Sequence, residues 1–226
     1  DFPWNDNFSD ARNAAFEKAS QEYILWLDAD DIFLEEDRSQ FLHLKQTLDP
    51  SIDIVMMPYH TAFDSKGRPT LSYYRERLIR NHPKFRWKGA VHEAITPTGN
   101  ILYSPIAVTH WKLHASDPNR NLRILQKVKN SRPLQPRELY YYARELMGHG
   151  QYEDAVFSFQ TFLSDPAGWF ENKIGACRDL SFCFQQLNRN EEALTALFQS
   201  FRWGPPRAEV CYDIGEWFRK KQEYPS

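Results

Sequence analysis

The sequence has few cysteines, no long apolar run and no excess of charge of either sign. Its three cysteines are an odd and sparse count among 226 residues, which argues against a disulfide framework and fits a reducing compartment. No apolar stretch approaches the roughly 20 residues that a membrane-spanning helix needs. The 28 basic and 30 acidic residues nearly cancel, which gives no support to a nucleic-acid binder. We therefore expect no transmembrane segment, no nucleic-acid partner, and a cytoplasmic location, either free or peripheral to the inner face of the membrane.

The composition favours a folded chain that changes character near its middle. Hydrophobic residues make up 42% and charged residues 26% of the sequence, which suits a packed core rather than disorder. Before Pro133 and Pro136, strand-like runs alternate with helical ones, and after them the pattern is helical only. We therefore predict an α/β domain in residues 1–132 followed by an all-α part in residues 133–226.

The first part is expected to contain helices and strands in alternation. Ser9 is a candidate N-cap for a helix that would run through Ala19. The unbroken apolar run at residues 23–27 is typical of a strand buried on both faces of a parallel sheet. The remaining predicted elements are a helix at 35–48, a strand at 53–57, a hairpin turn at 65–69, a strand at 106–109 and a helix at 117–130.

The second part repeats with the positions of tetratricopeptide (TPR) helical hairpins. Cys177 and Leu180 return as Cys211 and Ile214, each 34 residues later. The step from Ala155 to its counterpart is 38 residues, so four residues are inserted around 165–170. We predict about two and a half TPR repeats, of which the third would have its turn at Tyr224.

Two acidic residues follow the apolar run at residues 23–27. Ligands of open α/β sheets bind beyond the carboxyl ends of the strands, which is where Asp28 and Asp30 would lie. Carboxylate oxygens are hard ligands suited to Mg²⁺ or Mn²⁺. The pattern D-x-D is weak by itself, and in the alternative Asp30 and Asp31 only cap the helix that follows.

Three segments in fixed order raise the specificity of this pattern. They are Trp4-x3-Phe8-Ser9-x-Ala11-Arg12-Asn13, the strand ending in Asp28-Ala29-Asp30-Asp31, and Trp87-Lys88-Gly89-Ala90-Val91-His92-Glu93. Together they resemble the inverting, GT-A type glycosyltransferases of family 2, in particular bacterial members that carry TPR repeats after the catalytic domain. The resemblance covers most of residues 1–132 and implies a partial GT-A, Rossmann-like sheet, with the repeats covering the remainder.

The resemblance implies an activity and a set of site residues. It implies metal-dependent transfer of a hexose, with inversion, from a nucleotide-diphosphate sugar to a glycan, lipid or peptide. The family favours a UDP-linked donor, and the metal would be Mn²⁺ or Mg²⁺. Asp30 and His110 would bind the metal, Asp28 the metal and the nucleotide, and Glu93 would be the general base. The other candidates are Arg12 and Asn13 on the nucleotide side and Trp87 and His92 on the acceptor or sugar side.

Most of these side chains also have a structural alternative. Arg12 would pair with Asp28 or Asp30 rather than with phosphate. Glu93 would be a surface carboxylate paired with Lys88, and Trp87 would fill the core. The histidines would be satisfied polar groups, although His92 is also a candidate to orient Glu93.

Two further patterns are assigned to structure rather than to chemistry. Arg75, Arg77 and Arg80 alternate on the second arm of the hairpin, and we expect them to form a solvated face. Cys177 and Cys211 share a repeat position, which packing explains better than reactivity.

Both ends of the sequence suggest a longer protein. The chain starts with Asp1 and lacks the β-α-β segment with which family 2 members hold the nucleotide, so the donor site would be half present. The third repeat stops before its second helix, which would leave an apolar side uncovered.

Two other functions compete with sugar transfer. In the first, the repeats would work as a peptide-binding module beside a degenerate glycosyltransferase half, whereas in sugar transfer they would bind a peptide acceptor, a partner or a second copy of the chain. Alternatively, the chain would belong to another phosphate-metal enzyme such as a nucleotidyltransferase. The acidic residues at 28, 30 and 93 argue against the first, and the segment from Trp87 to Glu93 against the second.

Overall fold

The structure, a computed structural model, describes residues 2–111 and 117–221. They group into a sheet unit, which contains the residues up to Lys88 and Glu93–Asp117, and a helical unit, which contains Gly89–His92 and the residues from Pro118 onward. The helix that was predicted at 117–130 lies at Arg120–Ser131 and belongs to the helical unit. Along the chain the units therefore meet at Asp117, earlier than the boundary at residue 132 that was predicted from the sequence.

The sheet unit is built on a mixed sheet. Its elements are α1 (Phe8–Phe16), β1 (Tyr23–Leu25), β2 (Asp31–Ile32), α2 (Glu35–Thr47), β3 (Ile54–Phe63), β4 (Pro69–Arg80), β5 (Ile101–Tyr103) and β6 (Val108–His110). The strand order is β1-β4-β3-β6-β2, and β5 pairs with β3. β3 is parallel to β5 and β6, whereas the β1–β4, β3–β4 and β2–β6 pairs are antiparallel. An α/β unit followed by helices confirms the predicted fold class.

The apolar run that is buried on both faces of the sheet is β3, and not β1 as predicted. Ile54 and Met56 belong to a core cluster with Phe16 of α1, while Val55 and Met57 belong to a second cluster against which α2 packs. Successive side chains of a strand point to opposite faces, so layers on both sides bury all four residues from Ile54 to Met57. β1 is antiparallel to β4 and alternates between half-buried and buried side chains.

The first helix begins earlier and ends earlier than predicted. The N-cap of α1 is Asn7, whose side-chain oxygen accepts the backbone N–H of Asp10 at 3.3 Å. Asparagine is among the strongest N-cap residues, and Ser9 lies buried inside the helix. α1 ends at Phe16, so Ala19 lies beyond it.

The predicted hairpin is confirmed. The Asp64 carboxylate accepts the backbone N–H groups of Lys66 and Arg68 at 2.8 and 2.9 Å. Gly67 lies between them with φ +75°, a conformation that glycine adopts without steric cost. The turn between β3 and β4 is therefore stabilised by residues of the turn itself.

The helical unit contains α3 (Arg120–Ser131), α4 (Pro136–Gly148), α5 (Tyr152–Ser164), α6 (Phe170–Gln186), α7 (Asn190–Gln199), a 3₁₀ turn (Ser200–Arg202) and α8 (Ala208–Lys221). Each helix packs against the next one along the chain. The gap between α5 and α6 contains the insertion predicted around residues 165–170. Tyr224, predicted at a third turn, lies outside the described residues. No helix in the described part of the chain is long and apolar enough to cross a membrane.

A ladder of ion pairs follows the 34-residue period. Arg144 of α4 pairs with Asp179 of α6 at 3.3 Å, and Arg178 of α6 pairs with Asp213 of α8 at 2.5 Å. Both partners of the second pair lie 34 residues after those of the first. The first helix of each hairpin therefore contacts the next in the same way, as expected for stacked repeats.

The two cysteines at the shared repeat position differ in environment. Cys177 is fully buried, and this burial raises its pKa to about 12, so its thiol packs as a small apolar group. Cys211 is exposed on α8. The packing explanation therefore holds for Cys177 alone.

A buried carboxylate fixes the start of α4 and supports a stability prediction. Glu138 accepts two hydrogen bonds of 2.7 Å from Arg132 and one of 2.9 Å from the Gln135 N–H. Burial opposes ionisation, but these contacts outweigh it and hold the Glu138 pKa below its ordinary value of 4.5. We expect Glu138→Ala to lower the free energy of unfolding by about 1–3 kcal/mol, as measured by urea denaturation.

The pH dependence of stability provides the control for this prediction. A depressed folded-state pKa contributes stability that is present above pH 4.5 and is lost as the pH falls through the folded-state pKa. Glu138→Gln preserves a capping side chain but has no charge to titrate. An equally steep loss of stability at acid pH in this variant would contradict the assignment.

Candidate active site

Arg12 brings together two of the carboxylates singled out in the sequence. Its Nη2 lies 2.7 Å from Asp28 Oδ1 and its Nε lies 2.5 Å from Glu93 Oε1. α1 carries Arg12, Asp28 follows β1, and Glu93 follows the segment Gly89–His92. Arg12 therefore forms the salt bridge with Asp28 that was one of its two predicted roles. Glu93 pairs with Arg12 and not with Lys88, whose backbone pairs with Ala94.

Two indole rings hold the Arg12 guanidinium in place. Its central carbon lies 4.9 Å from the ring centroid of Trp26 and 4.8 Å from that of Trp87, within cation–π range. Trp87 packs edge-on against Trp26 and is only 2% exposed. The structure thus has Trp87 in the core, where its ring faces are covered by protein and are not open for a sugar to stack on.

Asn13 supports the same corner of the unit. Its side-chain amide donates to the Trp87 carbonyl at 3.1 Å and accepts the Trp87 N–H at 2.9 Å. Both ends of the amide are therefore occupied by backbone. Asn13, predicted on the nucleotide side, serves here to anchor the strand-like segment that leads to Glu93.

A second acidic group forms where β2 pairs with β6. This pairing sets Asp31 opposite His110, and the Trp111 N–H donates to the Asp30 carbonyl at 2.7 Å. His110 Nδ1 lies 3.6 Å from Asp30 Oδ1 and 3.4 Å from Asp31 Oδ1. The three side chains offer ligand atoms that all lie within 4.8 Å of one another.

This donor set fits a divalent cation. Ligands about 2.1 Å from an ion lie roughly 3 Å apart when adjacent, close to the separations between His110 and the two carboxylates. His110 Nδ1 is buried and has no hydrogen-bond partner among the described residues. The cluster differs from the predicted set of Asp28, Asp30 and His110, because Asp28 is bonded to Arg12 and Asp31 lies beside His110.

Asp31 was predicted only as a possible helix cap, yet it is the most enclosed carboxylate of the site. Its side chain is fully buried and lies 2.8 Å from Arg77 Nη1, while the Tyr59 hydroxyl donates to it at 2.8 Å and the Asp28 N–H at 3.0 Å. Burial raises the Asp31 pKa, but these contacts outweigh it, so the pKa lies below its ordinary value. Asp31 is therefore a fixed anion behind the more accessible Asp30.

The arginines of β4 do not form the predicted solvated face. Arg77 is fully buried between the rings of Trp26 and Tyr59, at 4.0 and 4.3 Å. Arg75 is largely enclosed and lies 5.1 Å from the Trp26 centroid. Burial opposes the charge of Arg75, but Glu76, Tyr73 and Glu93 outweigh it and raise its pKa. The sequence showed only that these arginines lie in a β-rich segment. It could not show that Arg77 is buried, because its partners Asp31 and Trp26 lie far away along the chain.

The His92 side chain contacts α4 of the helical unit. Its ring stacks on Tyr141 with centroids 4.0 Å apart, and its Nε2 lies 3.4 Å from Glu145 Oε1. The His92 ring therefore contacts Tyr141 and Glu145, and it does not orient Glu93 as predicted. Its backbone, with φ +50°, directly precedes Glu93.

Comparison with known proteins agrees with the geometry of the sheet unit. Residues 1–104 match the family described as glycosyl transferase family 2. The SPbeta prophage-derived glycosyltransferase SunS of Bacillus subtilis (strain 168) is 27% identical over 164 residues, which cover 68% of this chain and 38% of that protein. Glycosyltransferase SunS of Bacillus phage SPbeta matches to the same extent. The chain thus spans little more than a third of the length of these curated relatives.

A solved structure of MamA is similar at a lower level. It is 18% identical, covers 49% of this chain and 68% of its own, and has a TM-score of 0.40, which is too low to establish a common fold. The repeat assignment depends instead on the helical hairpins and on their 34-residue ladder. Residues 1–104 of this chain are therefore similar to glycosyl transferase family 2, and they precede helical hairpins that repeat with the tetratricopeptide period.

Proposed function

We propose that the protein transfers a hexose from a UDP-linked sugar to an acceptor, with inversion, and that Glu93 is the general base. The observation that carries the proposal is the Arg12 bridge, with one guanidinium bonded to Asp28 at 2.7 Å and to Glu93 at 2.5 Å. A carboxylate for the donor side and a carboxylate for the acceptor side are thereby within reach of one reacting centre.

In the proposed step, Glu93 takes the proton of the acceptor nucleophile as that nucleophile bonds to the anomeric carbon. The bond from this carbon to the diphosphate oxygen breaks, and its electron pair leaves with the nucleoside diphosphate. Attack opposite the leaving group inverts the anomeric centre. Arg12 contacts only Oε1 of Glu93, and no hydrogen bond to Oε2 is present among the described residues, which leaves this oxygen for the proton.

The proposed cation site consists of Asp30, Asp31 and His110. A bound Mn²⁺ or Mg²⁺ would supply positive charge for the leaving diphosphate. Asp30 and His110 are half-buried whereas Asp31 is enclosed, so we assign the direct contacts to the first two and a supporting negative charge to Asp31.

The acceptor is proposed only as a class, namely a glycan, a lipid or a peptide. The helical unit is proposed to bind a peptide acceptor, a protein partner or a second copy of the chain, because stacked helical hairpins present extended surfaces. A cytoplasmic location, where sugar nucleotides are available to a reduced protein, is part of the same proposal and agrees with three free cysteines.

The donor site is tested by calorimetric titration of the full-length protein with UDP, with and without Mn²⁺. We expect binding to require Mn²⁺ and to weaken at least about tenfold in Asp30→Ala, because a ligand oxygen is lost. Asp49→Ala is the matched control, since Asp49 accepts the Ser51 N–H at 2.8 Å in the loop before β3, at the opposite end of the sheet.

The outcomes separate the parts of the proposal. UDP binding that needs no Mn²⁺ and is unchanged in Asp30→Ala would contradict the cation site. If UDP does not bind, GDP and dTDP are titrated next. Failure of all three would contradict sugar transfer and favour a peptide-binding role for the repeats.

A further inference from the structure

Three arginines surround the indole ring of Trp26 in the sheet unit. The guanidinium carbons of Arg12, Arg75 and Arg77 lie 4.9, 5.1 and 4.0 Å from its centroid, within cation–π range. Trp26 itself is only 6% exposed. Guanidinium groups stay charged in proteins, so each of the three cations needs an anionic partner.

Two of the three arginines are strongly paired. Arg77 is fully enclosed and its Nη1 lies 2.8 Å from Asp31. Arg12 is bonded to Asp28 at 2.7 Å and to Glu93 at 2.5 Å. These contacts are as short as charge-assisted hydrogen bonds usually are. Both cations therefore have their partners within the protein.

Arg75 is the loosely paired arginine of the three. Its Nε and Nη2 donate to the Glu76 carboxylate at 3.4 and 3.3 Å, beyond the about 2.7–2.9 Å of a strong charged pair. Nη1 has no hydrogen-bond partner among the residues that the structure describes. The Arg75 side chain is 25% exposed. It therefore offers free N–H donors to a ligand that approaches from solvent.

Arg75 lies between the proposed cation site and the proposed base. It shares a face of β4 with Tyr73, whose ring packs edge-on against Tyr59 with centroids 5.7 Å apart. The Tyr59 ring in turn lies 5.8 Å from that of His110. Burial opposes the charge of Arg75, but neighbouring anionic groups that include Glu93 outweigh it and raise its pKa. Contacts on one side thus lead to His110, and the electrostatic neighbour on the other side is Glu93.

The proposed reaction moves negative charge past this arginine. Glu93 loses its negative charge when it accepts the proton of the acceptor, while negative charge develops on the oxygen that leaves with the diphosphate. An arginine near both groups retains an anionic partner throughout, because the charge that disappears at Glu93 appears on the diphosphate. A donor fixed in an enclosed site stabilises such developing charge better than water does.

We propose that Arg75 binds the departing diphosphate of the donor through Nη1 and stabilises its charge in the transition state. This role rests on the function proposed above, and it adds a cation of the protein to the metal ion of the cation site. Glu76, which is 5% exposed, orients the guanidinium before the donor binds. All the groups involved belong to the sheet unit.

The test compares Arg75→Gln and Arg75→Lys with the wild-type full-length protein by calorimetric titration with UDP in the presence of Mn²⁺. Arg75→Gln should bind UDP roughly 10- to 100-fold more weakly, the range for loss of a hydrogen bond to a charged group. Arg75→Lys should recover part of this affinity, because it retains the positive charge. The affinity for UMP, which has no β-phosphate, should change little in Arg75→Gln.

Steady-state sugar transfer provides the second readout. In Arg75→Gln kcat should fall roughly 100-fold, the usual cost of removing one donor to a developing oxyanion, and in Arg75→Lys it should fall less. Arg68→Gln is the matched control. It removes an arginine of the same hairpin, whose partner is Asp64 at 2.7 Å, and should leave UDP affinity and kcat within about twofold.

Three results would overturn this role of Arg75. They are an unchanged UDP affinity in Arg75→Gln, an equal loss of affinity for UDP and UMP, and an equal loss in Arg68→Gln. Failure of the proposed function gives a different result, because the wild-type protein itself is then defective. If it binds no nucleoside diphosphate, the role of Arg75 falls with the function. If it binds UDP but transfers no sugar, the UDP and UMP titrations still decide whether Arg75 contacts the diphosphate.

Discussion

Replacing Glu93 with glutamine is expected to lower kcat for sugar transfer by roughly 10²–10⁴-fold, the range for loss of a general base. The amide has no lone pair basic enough to accept the acceptor's proton, although its oxygen still accepts a hydrogen bond. Arg12, which lies 2.5 Å from Glu93 Oε1, therefore retains an anchor. Donor binding, measured by titration with UDP and Mn²⁺, should change little.

The retained anchor is what makes this substitution informative. If Glu93 served only to hold Arg12 beside Asp28, glutamine would preserve most of the activity, and the base assignment would be wrong. Glu22→Gln is the matched control. It removes another glutamate–arginine contact of the sheet unit, with Arg80 at 2.9 Å, at the opposite end of β1, and should leave kcat unchanged within about twofold.

Replacing Arg77 with methionine is expected to lower the free energy of unfolding by about 3–5 kcal/mol, the cost of leaving a buried charge without its partner. Both side chains of the Arg77–Asp31 pair are fully enclosed and their charged atoms lie 2.8 Å apart. Methionine fills part of the volume between Trp26 and Tyr59 but carries no charge. Asp31 would then retain only its neutral hydrogen-bond donors. Urea denaturation measures the loss.

Two comparisons identify the cause of that loss. Arg68→Met removes an exposed pair with Asp64 at the tip of the same hairpin and should cost less than about 1 kcal/mol. The double variant Arg77→Met, Asp31→Asn should be more stable than Arg77→Met alone, because no unpaired buried charge remains. Equal losses of unfolding free energy in Arg77→Met and Arg68→Met would show that the buried pair contributes no more to stability than the exposed pair.

The Arg77–Asp31 pair also connects the core to the site. Asp31 is the carboxylate behind Asp30 and His110, and it accepts the N–H of Asp28 at 3.0 Å. The turn that carries the acidic residues is therefore fixed from inside the sheet unit. We expect losses of stability and of cation affinity to occur together when this pair is broken.

Local signals were sufficient for much of the fold. The turn at residues 65–69 has an aspartate that caps backbone N–H groups and a glycine with positive φ, so its hairpin is predictable within a few residues. The repeat helices follow from a 34-residue period. Strand direction was not predicted correctly. The run at residues 23–27 was expected in a parallel sheet, whereas β1 is antiparallel to β4. A short apolar run does not reveal which strand will pair with it.

For the candidate site, the sequence determined the order and spacing of the acidic residues and of the segment from Trp87 to Glu93, and with them the similarity to glycosyl transferase family 2. Only the tertiary structure decided which groups meet. Arg12 bonds to Asp28 and Glu93, Asp31 replaces Asp28 beside His110, Trp87 is enclosed, and α4 holds His92. The physical reason is that pairing and burial of charged side chains depend on residues tens of positions away, whose approach is set by the packing of strands and helices and not by local sequence.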